Sequence, residues 1–63
     1  MSNNTNLLEQ WTALKAIVES LELDLLKNAN GNKSAGVRAR KGLRLIKQKS
    51  AELVKSSLLE DKS

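Results

Sequence analysis

Six apolar residues in the first half of the chain recur at alternating intervals of four and three. This spacing places them on one stripe of an α-helix, so residues 6–28 are predicted to be helical. Asn6, with Glu9 three positions later, is the expected N-terminal cap, and Thr5 is the alternative cap. The six residues of the stripe are Leu7, Trp11, Leu14, Val18, Leu21 and Leu25.

The apolar surface of this first helix is wider than one partner helix can cover. Leu8 and Leu26 lie on one flank of the stripe and Ile17 on the other, at 100° per residue. Together with the stripe they cover roughly half of the helix circumference. We therefore expect this helix to pack against more than one neighbour.

A polar break follows, because residues 28–32 read Asn-Ala-Asn-Gly-Asn. Such residues tolerate left-handed backbone or cap a new helix, which predicts a turn at about 29–32. A turn this short makes its two helices antiparallel neighbours. One continuous bent helix is the alternative, and three Asn and one Gly within five residues weigh against it.

The apolar pattern resumes at helical spacing from residue 33 to about 59. Gly36 beside this pattern favours close approach to another helix, and close approach to a phosphate is the alternative. No Pro and a single aromatic residue favour helices over strands, so the fold class is all-α. The positions of the pattern are Ala35, Ala39, Leu43, Ile46, Ser50, Leu53, Val54 and Leu59.

A chain of 63 residues without cysteine has a small core and no disulfide to support it. Self-association remains as the stabilising device. We therefore expect residues 1–63 to form one domain, an antiparallel two-helix hairpin that assembles into a homodimeric four-helix bundle. Trp11 is expected in the core of this bundle, and stacking on nucleic-acid bases is the alternative role for its side chain. The predicted core and oligomer residues are Leu7, Trp11, Leu14, Ile17, Val18, Leu21, Leu25, Leu43, Ile46 and Leu53.

Positive charge is concentrated in the second half of the chain. The net charge is −2 over residues 1–28 and +6 over 29–63, which gives the total of +4. Residues 33–49 contain seven bases and no acid. This asymmetry predicts a polyanionic partner, double-stranded DNA, with RNA left open because its phosphates are the same. The predicted DNA-binding residues are Lys33, Arg38, Arg40, Lys41, Arg44, Lys47 and Lys49.

Other interpretations of the basic segment stay open at this stage. Its bases can be simply solvated, or they can pair with Glu19, Glu22 and Asp24 across the hairpin or across the dimer. A dimerising protein-interaction module, whose basic face docks an acidic partner, is the alternative function. Residues 33–47 contain no Asn or Gln to read base edges, so sequence-independent binding is the expected mode.

Several function classes are disfavoured by composition. The chain contains no His and no Cys, and its closest carboxylates have no such companion, so we expect no enzyme, cofactor or small-molecule substrate. A carboxylate-only metal site at Glu19 and Glu22 is disfavoured, because solvated acids are the default on a helix. No apolar run approaches the roughly 18 residues of a membrane span, and residues 1–6 lack a signal-peptide pattern. A cytoplasmic protein without membrane attachment is expected.

The segment from Gly31 to Lys41, GNKSAGVRARK, follows an acidic amphipathic helix. In this it resembles the linker-histone-like nucleoid proteins of chlamydiae and their short relatives in other bacteria and phages, over about residues 7–55. The resemblance implies an α-helical, nucleoid-associated protein that helps to condense or organise DNA. The chlamydial proteins continue into a Lys- and Ala-rich tail that this sequence does not show, so binding is expected from the helices. The motif positions are Gly31, Asn32, Lys33, Arg38, Arg40 and Lys41.

Overall fold

The structure is a computed structural model that describes residues 4–62, and over this range the chain forms two long α-helices and no strand. Helix α1 covers Asn4–Ala29 and helix α2 covers Lys33–Lys62. The helices pack side by side in opposite directions, with Cα extents of 48 × 15 × 11 Å. The predicted all-α hairpin is confirmed.

The ends of both helices lie further out than the sequence indicated. Because α1 begins at Asn4, both Asn6 and Thr5 already lie inside the helix, so the predicted cap is wrong. The residue before Asn4, where the cap belongs, lies outside the described range. Helix α2 continues to Lys62 because residues 60–62 contain no Gly or Pro that would end it.

The turn between the helices satisfies the backbone groups of both helix ends. The Gly31 N–H donates to the Asn28 carbonyl at 2.9 Å and the Asn32 N–H donates to the Lys27 carbonyl at 3.0 Å. With Gly31 at a φ of +99°, this is a Schellman motif. Asn32 then caps α2, because its Oδ1 accepts from the Ala35 N–H at 2.9 Å. The predicted stop and fresh cap are confirmed, and the continuous bent helix is excluded.

The two helices meet along seams in which buried and half-buried residues recur at intervals of three and four. On α1 this seam shares only Leu7, Leu14 and Leu21 with the predicted stripe. The α1 seam consists of Leu7, Gln10, Leu14, Ile17, Leu21, Asp24 and Asn28. The α2 seam consists of Ala35, Ala39, Gly42, Ile46, Lys49, Leu53, Ser56 and Glu60.

The core of one hairpin is thin. Its buried hydrophobic residues are Leu14, Leu21, Ala35 and Ala39. The chain exposes 5063 Å², about a quarter more than the ~4,000 Å² expected for a compact monomer of 6.9 kDa. Among the other predicted core residues, Leu7, Ile17, Ile46 and Leu53 are half-buried. Trp11, Val18, Leu25 and Leu43 are exposed in the single hairpin, at 47, 48, 43 and 47%.

Gly36 allows the helices to approach closely next to the turn. A Cβ atom at this position would lie 2.9 Å from Cγ of Asn28 and closer still to its Nδ2. That amide nitrogen donates to the Asn32 carbonyl at 3.2 Å, so the Asn28 side chain joins the end of α1 to the start of α2. Close helix approach, and not approach to a phosphate, therefore accounts for Gly36.

We expect Gly36→Ala to lower the free energy of unfolding by about 1 kcal/mol or more, because overpacking against Asn28 outweighs the gain in helix propensity. Gly42→Ala is the matched control, since its Cβ would contact only the side chain of Leu21, with Cδ1 at 3.3 Å and Cβ at 3.9 Å. This control should be at least as stable as the wild type. Urea unfolding at one fixed protein concentration measures both, and equal stability of the two variants would contradict the packing at Gly36.

Candidate nucleic-acid interface

The bases of α2 are distributed around the helix, and one group of them forms a continuous row. At 100° per residue the group lies within an arc of about 80° and extends along about 33 Å of helix. All of its side chains belong to exposed residues. The row, called the basic row below, consists of Lys33, Arg40, Arg44, Lys47 and Lys55.

No carboxylate of residues 4–62 forms an ion pair with any member of the basic row. The same holds for Lys41, which is exposed and borders the groove between the helices. A duplex carries one negative charge per about 1.7 Å of its axis, so a row of unpaired cations of this length faces many phosphates. Arginine adds a planar fork that can contact two phosphate oxygens at once.

Arg38 is held by the hairpin itself. Its Nε donates to Oδ1 of Asp24 at 3.1 Å, and the Asp24 side chain is only 20% exposed. Cross-helix pairing, which the sequence left open for three acids, is observed for Asp24. The sequence offered no signal for this partner, because the pair depends on the register between the helices. Arg38 therefore joins α2 to α1, and about half of its side chain remains accessible.

Lys49 is the other predicted base with an acidic neighbour. Its Nζ lies 3.8 Å from Oε1 of Glu52, one turn later on the same helix. Both side chains are about half exposed, so solvent screens the pair and its contribution is small. Lys49 also lies in the seam, which turns it away from the basic row. Lys55, which was not among the predicted site residues, extends the row towards the C-terminal end.

The helices differ strongly in charge. Helix α1 carries four acids and two bases, a net charge of −2. Helix α2 carries nine bases and three acids, a net charge of +6. One long edge of the flat hairpin is therefore positive, and the opposite edge is weakly negative. A polyanion is attracted to the α2 edge, and the attraction weakens as salt is added.

The remaining surface shows few other sites. An open groove of about 450 Å³ lies between the helices, and it contains the Asp24–Arg38 pair together with Ser20 and Lys41. Within the described range no three acidic, histidine or cysteine side chains are grouped to hold a metal ion. Neither α1 nor α2 is long and apolar enough to cross a membrane.

We expect Arg38→Gln and Arg40→Gln to affect different properties, although the two positions are two residues apart. Arg40→Gln should lower duplex affinity and reduce the slope of log affinity against log salt by about 0.9, because one phosphate contact is lost. Arg38→Gln should mainly lower hairpin stability, because it leaves the partly buried Asp24 without its partner. Fluorescence anisotropy and thermal unfolding measure the two effects. A larger loss of DNA affinity for Arg38→Gln would contradict this division.

Comparison with known proteins places the hairpin in a family. A protein-family model described as histone H1-like protein Hc1 matches residues 8–63, a range that contains most of α1, the turn and all of α2. Neither the curated proteins nor the solved structures gave a match. The matched family is one of structural, histone-like DNA-binding proteins, not of enzymes. The chain therefore belongs to the histone H1-like protein Hc1 family.

Proposed function

We propose that this protein binds double-stranded DNA without sequence preference and organises or condenses it as a nucleoid-associated protein. The basic row of α2, together with Lys41, is the contact surface. The observation that carries the proposal is that these exposed bases have no acidic partner among residues 4–62, whereas Arg38 and Lys49 do. Membership of the histone H1-like family supports the same ligand.

Sequence independence follows from the residue types. Lysine and arginine contact phosphates, which fix the position of a protein on DNA and carry no base information. Residues 33–47 contain no Asn or Gln, the side chains that read adenine edges. Affinity is then supplied by counterion release and falls steeply with added salt.

Pairing of two hairpins into a four-helix bundle completes the proposal. The single hairpin leaves Trp11, Val18, Leu25 and Leu43 exposed, and its buried core is small. A second copy would cover these side chains and bring a second basic row into the same particle. Two linked rows raise the affinity for one long duplex without any new kind of contact. Rows that face different duplexes would bridge them.

The proposal is tested with two labelled DNA duplexes of equal length and unrelated sequence. We expect dissociation constants that agree within about threefold, because discrimination of a wrong base costs roughly 1–3 kcal/mol only where bases are read. A strong preference for one duplex, or no binding at 50 mM salt, would contradict the proposal. Unlabelled DNA and RNA duplexes and polyglutamate serve as competitors. Displacement by polyglutamate but not by DNA would instead identify a protein-docking face.

A further inference from the structure

Three of the exposed apolar residues of α1 form a nearly straight line on one side of the helix. Trp11, Val18 and Leu25 are seven residues apart, and each follows a seam residue by one position. Next to this line lies an open groove of about 400 Å³, lined almost wholly by apolar atoms of α1. The groove residues are Val18, Leu21, Glu22, Leu25 and Leu26. An intrachain neighbour does not fill it.

Two opposite charges lie beside this line. Lys15 and Glu22 each follow an apolar residue of the line by four positions, so both lie on the same flank, away from α2. Both are exposed, and neither forms an ion pair with another residue of the described range. Val18 lies between them, three positions after one and four before the other. A surface with this pattern is complementary to itself when it is turned end for end.

We infer that a second copy packs its α1 antiparallel across this α1, with the two-fold axis next to Val18. Trp11 of each copy then enters the groove of the other, and Lys15 of each copy pairs with Glu22 of the other. This inference rests on the proposed pairing of hairpins and specifies its geometry. The partner that fits the α1 face is thus a second copy of the same chain.

The register follows from the helix rise of 1.5 Å per residue. Reversal about Val18 places position 11 level with position 25, inside the groove. It also places Lys15 level with position 21 of the other copy. Glu22 of that copy is one residue further, about 1.5 Å away along the helix axis.

A dimer axis parallel to the helices would place α1 on the other copy's α2 instead. The Asp24–Arg38 and Leu21–Gly42 neighbours give the register between α1 and α2. With that register, Lys15 would lie beside Lys47 of the second copy. Glu22 would lie beside the second copy's Arg40 and neutralise the basic row. The antiparallel α1 pairing avoids the Lys15–Lys47 contact, pairs Lys15 with Glu22 twice and keeps Glu22 away from both basic rows.

Single cysteines test the geometry directly, because the chain has none of its own. We expect Val18→Cys to form a disulfide-linked dimer under mild oxidation, since the two-fold axis brings the two copies of position 18 together. Leu23→Cys, on the opposite side of α1 and 62% exposed, is the control and should remain monomeric on a denaturing gel. Cross-linking between Val18→Cys and Leu43→Cys, without the Val18 homodimer, would overturn the inference in favour of the parallel axis.

Charge exchange provides a second test that leaves the apolar line intact. Lys15→Glu and Glu22→Lys should each weaken dimerisation roughly tenfold in sedimentation equilibrium, because two surface pairs become repulsive. The double variant should restore wild-type dimerisation. Stronger dimerisation of Lys15→Glu alone would overturn the inference. A wild type that is monomeric at all concentrations would refute the pairing itself, whereas a dimer with the wrong cross-links refutes only this geometry.

Discussion

Arg40→Glu combined with Arg44→Glu is expected to lower the affinity for a DNA duplex at least about a hundredfold at 0.1 M salt. Each phosphate contact adds about 0.9 to the slope of log affinity against log salt. At 0.1 M salt one contact therefore raises the affinity roughly eightfold relative to about 1 M salt. Two lost contacts therefore account for roughly sixtyfold, and the two new carboxylates repel the phosphates as well. Fluorescence anisotropy with a labelled duplex measures the change.

A variant of equal net charge separates local contact from overall charge. Lys27→Glu with Lys49→Glu also takes the chain from +4 to zero, but neither residue lies on the arc of the basic row. Lys27 lies in the last turn of α1, and Lys49 lies in the seam between the helices. We expect this control to lose less than about tenfold in affinity, because only the long-range attraction weakens. Equal losses in both double variants would argue against the basic row as the contact surface.

Trp11→Ala is expected to weaken dimerisation at least about thirtyfold, the equivalent of roughly 2 kcal/mol or more. Trp11 is 47% exposed in the single hairpin, so its apolar surface leaves water only when a second copy covers it. In the proposed dimer, pairing adds to the thin core of each hairpin, so the melting temperature should fall and become more dependent on protein concentration. Sedimentation equilibrium and thermal unfolding at two concentrations measure these effects.

Leu23→Ala is the matched control for the tryptophan variant. Leu23 is also a large apolar residue of α1, and it is 62% exposed. It lies on the far side of the helix from Trp11, so its removal should leave the dimer constant within about twofold. Wild-type dimerisation of Trp11→Ala, or an equal effect of Leu23→Ala, would show that the α1 line is not the interface. Emission of the single tryptophan gives an independent check, since it should shift to longer wavelength on dilution.

The hairpin is readable from the sequence because its signals are local. Gly31 with its flanking Asn residues specifies a turn by backbone geometry alone. The face of α1 that meets α2 is not evident from the sequence, because α1 carries an apolar stripe and a partly polar one that share Leu7, Leu14 and Leu21. The more hydrophobic stripe, with Trp11 and Val18, is the one left exposed. Hydrophobicity alone therefore selects the wrong face.

Small residues on α2 decide which stripe is used within the chain. Ala35, Gly36 and Ala39 are buried and let the polar Asp24 and Asn28 approach α2 at the closed end of the hairpin. Asp24 and Asn28 then make specific bonds there, to Arg38 and to the turn. Such contacts depend on the register between two helices, which single-sequence periodicity does not supply. The same register gives Arg38 its partner Asp24, whereas Lys49 pairs with Glu52 of its own helix. The other five of the seven predicted bases have no carboxylate partner among residues 4–62.

The two proposals assign separate roles to the two helices of a chain of 63 residues. The basic row of α2 is proposed to contact a polyanion, and the exposed line of α1 is proposed to contact a second copy. Because the roles lie on different helices, variants such as Arg40→Glu and Trp11→Ala should act first on different measurements. We expect dimerisation to raise DNA affinity through the number of basic rows in one particle.

The most direct test of DNA binding through the basic row is the salt dependence of affinity for a random-sequence duplex. We expect log affinity to fall linearly with log salt, with a slope of about −3.6 or steeper, which corresponds to four or more phosphates per bound particle. The Arg40→Glu/Arg44→Glu variant should show a slope shallower by about two units. A wild-type affinity that does not change with salt, or no binding at low salt, would contradict the account.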